Sequence, residues 1–360
     1  MAPRRTRATA LAVLASVAVA AAGCTADAGQ DASGTSGDQT VAADASFPVT
    51  IEHVYGETEI SAEPERIVTL GGSTADVIAS LGIVPVGIPE NTWSGDADGY
   101  NVWTRAYIEQ EMQEELPALI TATEDGPDYE QILALQPDLI LAPTSGLTEV
   151  QYERLTEIAP TVAHADQPYI YGTWQDLARL VGTALGEGEK AEDVIDETEA
   201  VLADALTEHP ELDGTSFVYS LTLGQDGGTE LALYISDDPR VVFHRSLGLL
   251  DSPSLESATA DHEEGIWYGG VSLEELDTID TDVVLYWSSS PENTATTLEN
   301  ALVSRWEPMA NGNYLILENT KIVSASNGPT PITIPWMIEQ GYLDDLSAAV
   351  DGGAVVRSAG

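Results

Sequence analysis

The sequence predicts an α/β protein of two similar lobes with a ligand cleft between them, and three observations carry that expectation. From residue 64 to 165, short runs rich in Val, Ile and Leu alternate with segments of helical spacing. Residues 173–208 then read as helical, interrupted at Gly186 and Gly188, and from residue 216 the alternation of strand and helix resumes. Alternation of this kind gives a mainly parallel sheet covered on both faces. Two such halves on one connector leave a crevice between them, where ligand sites are favoured.

Residues 1–23 have the pattern of an export signal. Arg4, Arg5 and Arg7 form a positive start, and Leu11 to Ala22 is an apolar run too short to span a bilayer as a stable helix. The Ala-Ala-Gly-Cys that ends at Cys24, the sole cysteine, resembles a bacterial lipobox, in which the cysteine is lipidated. Ordinary cleavage at an Ala-x-Ala site, leaving Cys24 a free thiol, is the alternative. Residues 24–46 are dominated by Ala, Gly, Ser, Thr, Asp and Gln, the composition of a flexible tether.

In the first lobe, 47–172, residues 47–60 alternate around Tyr55-Gly56 as a hairpin. Strands follow at 67–70, 84–88, 139–142 and 161–165. Helices are predicted at 73–81 with Ser73 as cap, at 129–135 and at 149–158. In the connecting segment, 173–209, Thr173 and Asp176 are spaced as a capping box, and a second helix spans 189–206. A helix of that length is compatible with a core helix or with a strut between domains. In the second lobe, 210–360, strands are predicted at 216–223, 231–235, 283–287 and 314–317, with helices at 239–247, 272–276, 297–303 and 334–346.

Charge excludes several classes of function. With 13 Lys plus Arg against 60 Asp plus Glu, the net charge is −47. Nucleic-acid binding needs clustered cations, and a polybasic membrane-surface mode needs the same. Single-cysteine content rules out an internal disulfide and a Cys-based zinc module. His53, His164, His209, His244 and His262 are scattered without metal-ligand spacing, and residues 94–99 form half an EF-hand pattern that reads better as a polar turn. No GxSxG elbow, Walker A sequence or nucleophilic cysteine points to an enzyme.

Three stretches resemble a known family. "PERIVTLGGSTADVIASLGIVPVGI", "PDYEQILALQPDLILAPTSGLTEVQYERLTEIAPTV" and "VSLEELDTIDTDVVLYW" with "NGNYLIL" downstream are similar to the solute-binding lipoprotein of an iron–siderophore ABC importer, from the group that also carries haem and cobalamin. The resemblance implies two Rossmann-like α/β lobes joined by a single long interdomain helix. It implies no enzymatic activity and no cofactor, with a ferric siderophore as transported ligand. A permease, its ATPase and the membrane reached through the lipid anchor are the expected partners of a monomer on the outer face of the cell membrane. It also places Glu130 in "DYEQIL" and Glu274 in "VSLEEL" at the glutamates that dock on permease arginines.

The ligand candidates are aromatic and arginine side chains. The loop after the second strand gathers Trp93, Tyr100, Trp103, Arg105 and Tyr107; Tyr169, Tyr171 and Trp174 precede the connector; Arg240, Trp267 and Tyr268 lie in the second lobe. Aromatic faces offer rigid contact area, and arginine donates to oxygens around a caged ferric ion. A siderophore fills the iron's coordination sphere, so no protein metal ligand is expected. The chain after residue 23 has eight arginines and two lysines, which favours a neutral or cationic ferric hydroxamate of the ferrioxamine type over an anionic catecholate. Haem or cobalamin carriage, a secreted hydrolase and a surface adhesion protein are the alternatives.

Overall fold

A computed structural model describes residues 47–263 and 265–358; the signal, the tether and Cys24 lie outside them. The described chain opens with the hairpin Val49–His53 and Gly56–Ile60, antiparallel with Val49 opposite Ile60.

The first lobe is built on a five-stranded sheet in the order Ala118–Ile120, Gly87–Pro89, Ile67–Thr69, Leu139–Leu141, Thr161–Val162, parallel throughout. Its central strands are buried along their whole length, as continuous apolar runs between two covering layers must be. Alternate residues face opposite ways. Ile67, Leu139 and Leu141 join one cluster with Val77 and Ile78, whereas Val68 and Ile140 join another with Ile132 and Leu155.

The second sheet runs Tyr268–Ser272, Glu230–Tyr234, Ser216–Leu221, Val283–Trp287, Tyr314–Leu317, Val355–Arg357, with Leu250–Asp251 also paired to Ser216–Leu221. Its core from Ser216–Leu221 to Val355–Arg357 is parallel. The edge formed by Glu230–Tyr234 and Tyr268–Ser272 is antiparallel. Two α/β lobes therefore stand as expected, the second with a mixed sheet.

The connector begins with Trp174–Leu185, where Thr173 and Asp176 form the expected capping box. Gly188–Leu206 follows, 19 residues and about 28 Å long. It packs on Trp174–Leu185 on one side and on Thr333–Glu339 of the second lobe on the other. Its buried Ala191, Ile195 and Leu202 belong to the same apolar cluster as Ile67 of the first sheet and Tyr219 of the second. The interior thus runs unbroken from lobe to lobe.

Several elements depart from their expected bounds. The helix expected to start on Ser73 is Gly72–Ser80, entered through Gly71 at φ 143°, and Ser73 Oγ instead reaches toward Gly328 O of the other lobe at 3.4 Å. The single helix expected at 334–346 is two, Thr333–Glu339 and Tyr342–Val350, because Gly341 breaks it in the left-handed region at φ 77°. The helix expected at 297–303 is Pro291–Glu299, where Ser290 caps it and Pro291 opens it. Among the described residues no helix is long and apolar enough to cross a membrane.

Candidate functional site

The residues that follow the C-terminal ends of four first-lobe strands converge on one cavity of about 1030 Å³. Leu70 and Gly71 follow Ile67–Thr69; Glu90 and Asn91 follow Gly87–Pro89; Thr121 and Ala122 follow Ala118–Ile120; Thr144 to Leu147 come after Leu139–Leu141. From the second lobe come Leu221 and Trp287 at strand ends, Tyr234, Arg240, Trp267 and Tyr268. Parallel sheets present their ligand loops at these ends, because the following helix or turn begins there.

The second-lobe wall is an aromatic assembly around Tyr234. The Arg240 guanidinium lies 4.0 Å over its ring, Trp287 Nε1 donates to its hydroxyl at 2.9 Å, and Tyr268 meets it edge-on at 6.1 Å. Arg240 is itself committed. It donates from Nε and Nη2 to both carboxylate oxygens of Asp238, at 2.6 and 2.7 Å, with its side chain only 16% exposed. Burial pulls the guanidinium pKa down, but the adjacent carboxylate overrides this and holds it above the ordinary value. The cleft therefore receives an arginine whose charge is already matched.

The base of the cleft holds a buried carboxyl. Asp76, on Gly72–Ser80, accepts from Trp103 Nε1 at 2.8 Å, from Thr104 Oγ1 at 2.5 Å and from Thr330 Oγ1 of the other lobe at 3.4 Å. Burial raises its pKa to about 7 in spite of these three donors. Trp103 packs its ring on Trp336, centroids 5.0 Å apart, so the floor is also tied to both lobes.

The two walls meet at Tyr169. Its backbone adopts the left-handed region at φ 65°, and its ring stands edge-on to Trp267 at 5.4 Å. Trp267 Nε1 donates to Pro168 O at 3.1 Å. Gly146 makes this possible, since a Cβ there would lie 2.5 Å from the Tyr169 ring. Nearby, the Tyr171 hydroxyl and Asn327 Oδ1 are buried without a hydrogen-bond partner among the described residues. Burial also pushes the Tyr171 phenol pKa up, against the opposing influence of the nearby Ser73 side chain, so it stays protonated.

Of the candidate residues, the structure brings Trp103, Tyr169, Tyr171, Arg240, Trp267 and Tyr268 to the cavity lining. Trp93 does not line it; it is 48% exposed and meets Trp287 edge-on at 6.0 Å across the two lobes. Tyr100 and Arg105 lie outside the lining. Arg105 pairs with Asp96 at 3.1 Å and Asp98 at 2.8 Å and stacks on Tyr100, whose hydroxyl donates to Pro117 O. The acids of the polar turn have captured the arginine. Tyr107 and Trp174 pack into the core.

Tyr234, Trp287, Glu90, Asn91 and Asn327 were not singled out by sequence. Strand-terminal position was the signal available for Trp287 and Tyr234, since each is the last residue of its strand. Glu130 and Glu274 are exposed and occupy equivalent places. Each sits in the first turn of its helix, with its amide donated to the side chain of the preceding cap, Asp128 at 3.0 Å and Ser272 at 3.3 Å. Among the described residues there is no group of three or more His, Cys, Asp or Glu placed to hold a metal ion.

Known proteins share this plan. The "Probable siderophore-binding lipoprotein YfiY" of Bacillus subtilis is 25% identical over 304 residues, 82% of this chain and 86% of its own length. The iron(3+)-hydroxamate-binding protein FhuD of the same organism is 25% identical over 224 residues, 61% of this chain and 63% of its own. The structure of PiaA from Streptococcus pneumoniae in complex with ferrichrome superposes with a TM-score of 0.74 at 29% identity, covering 84% of this chain and 99% of that one. Residues 67–313 match the periplasmic binding protein family. The chain belongs to that family, and it is a solute-binding protein, not an enzyme.

Proposed function

We propose that the chain is the extracytoplasmic binding component of an ABC importer, tethered through lipid on Cys24, that captures a ferric siderophore of hydroxamate type and delivers it to a permease. Residues 47–172 and 210–360 form the lobes, joined by 173–209 and preceded by the signal 1–23 and the tether 24–46. Glu130 and Glu274, one exposed on each lobe, are the docking points. The related proteins named for siderophore and hydroxamate binding support the ligand class.

One observation carries the choice of hydroxamate. Arg240 is the sole basic side chain among the described lining residues, and Asp238 already neutralises it. A ferric tris-catecholate carries several negative charges that this cleft would leave unmatched at a large desolvation cost. A neutral or cationic tris-hydroxamate needs only donors to its oxygens and apolar contact for its linkers. Tyr171 and Arg240 supply the donors, and Trp267, Tyr268, Trp287 and Trp103 supply the contact.

The test is tryptophan-fluorescence titration of residues 25–360 with a ferric trihydroxamate, a ferric catecholate, haem and cobalamin. Gallium complexes and iron-free ligands separate binding from light absorption by the iron. Saturable quenching at micromolar or lower concentration by the hydroxamate alone is expected. A preference for the catecholate would overturn the hydroxamate assignment, and silence across the panel from folded protein would overturn siderophore carriage.

A further inference from the structure

Two carboxyls line the cleft without a countercharge among the described residues: Asp76, buried among three neutral donors, and Glu90, which has no donor to its carboxylate. The Glu90 amide donates to Ile120 O at 2.9 Å, which fixes the backbone beside the cavity. Its side chain crosses Gly99: a Cβ there would lie 2.8 Å from Glu90 Cγ, 3.3 Å from Oε1 and 3.2 Å from Leu119 Cδ1. The absence of a side chain at Gly99 is what lets this stem lie flat beside Leu119. Glu90 lines the cleft half-buried, and its carboxylate makes no ion pair or hydrogen bond among the described residues. Its neighbours Asn91 and Asn101 are bonded to one another at 2.6 Å and carry no charge. The arginines near the cleft are engaged elsewhere, Arg105 with Asp96 and Asp98, and Arg240 with Asp238.

A half-buried carboxylate on a residue that lines a ligand cavity prefers positive charge, because it loses water on binding and has no cation of its own. We infer that Glu90 selects the charge of the cargo, pairing with a protonated primary amine on the ferric chelate. The ligand class this singles out is the linear tris-hydroxamate that ends in a free ammonium group, over its N-acylated or ring-closed neutral forms. The inference rests on the siderophore reading above and adds to it a subsite outside the iron's own coordination sphere. Selection arises because both chelates present the same caged iron to the aromatic wall, and only one gives Glu90 a partner.

The experiment compares two ferric complexes that differ at one nitrogen: a linear trihydroxamate with a free terminal amine and the same molecule N-acetylated. Wild-type protein is expected to bind the amine form about tenfold more tightly at low salt, a difference of about 1.4 kcal/mol. E90Q is expected to bind both equally, and to bind the acetylated form as wild type does. High salt should narrow the wild-type preference. Equal affinities in wild type, or a preference that survives in E90Q, would overturn the role of Glu90 and leave siderophore carriage standing. Failure of both complexes to bind folded wild-type protein would instead strike at the siderophore reading itself. E90A, which removes the carboxylate without an amide in its place, must also lose the preference.

Discussion

Asp76 Oδ2 in the first lobe and Thr330 Oγ1 in the second lie 3.4 Å apart, 254 residues distant in sequence. A buried carboxyl is thereby shared across the base of the cleft, where it also holds the Trp103 indole. D76A would leave Trp103 Nε1 and the Thr104 hydroxyl without their acceptor. The expected cost is about 2–6 kcal/mol in urea unfolding, at roughly 1–3 kcal/mol for each of the two orphaned buried groups. Ligand affinity should fall with it, since Trp103 lines the cavity. An unchanged midpoint would show that the carboxyl contributes nothing net.

The pH dependence of stability should reveal two opposed groups. Native Asp76 keeps its proton up to about pH 7, whereas the unfolded chain releases it near 3.8. Stability therefore falls as pH rises through this window, by up to about 1.4 kcal/mol per pH unit. His244 acts the other way. Its ring is buried between Arg240 O and the Tyr342 hydroxyl, both at 2.6 Å, and burial lowers its pKa from 6.5 to about 4. Stability from His244 is lost as pH falls from about 6.5 to 4. Relative to wild type, D76N should gain stability as pH rises from 4.5 to 6.5, and H244Q should show the reverse. Parallel curves for wild type and D76N would refute the assignment.

Asp238 sets the charge of Arg240, so D238N should change what the cleft accepts. The helix Pro239–Ser246 keeps a capping side chain in this variant, because asparagine also accepts from the Arg240 amide. The guanidinium, however, loses its countercharge, and breaking a buried pair costs about 3–5 kcal/mol. We expect the ratio of affinities for an anionic ferric citrate complex over a neutral ferric hydroxamate to rise about tenfold or more. A ratio equal to that of wild type would mean that Arg240 does not sense the ligand.

Charge reversal at the proposed docking points should separate binding from transport. E130R and E274R are both on exposed first turns, where loss of the acid costs only a few tenths of a kcal/mol through the helix dipole. Ligand affinity is expected to stay within about twofold, as neither residue lines the cavity. Uptake of radiolabelled iron in cells should drop severalfold for each variant and further for the pair. Normal uptake with the double variant would remove these residues from the docking surface.

Much of this arrangement was legible in the residues. Val283–Trp287 and Tyr314–Leu317 sit where continuous apolar runs put them, and Thr173 caps its helix as its spacing with Asp176 required. Tyr268–Ser272 was not predicted: Gly269-Gly270 lacks the side chains that mark a strand, and it is the partner strand Glu230–Tyr234 that holds it extended. The cleft was harder to read than the sheets. Trp287 ends the run "VVLYW", in which an aromatic looks like one more core residue; only its place at the strand end, beside Tyr234, turns it to the cavity. Arg105 failed in the opposite sense. Its aromatic neighbourhood looked like a ligand loop, while the acids at 96 and 98, within reach through the turn, took the charge. Glu90 gave no sequence signal at all among so many acids without a cation, since what distinguishes it is its place in the cavity lining.

The unbroken interior that passes from Ile67 through Ile195 to Tyr219 has an energetic consequence for capture. Swinging the lobes widely apart would expose that apolar surface to water, at about 25 cal/mol for each Å². The empty protein is thus held against wide opening by its own core. Little of the cargo's binding energy has to be diverted into conformational work, and most of it is kept as affinity.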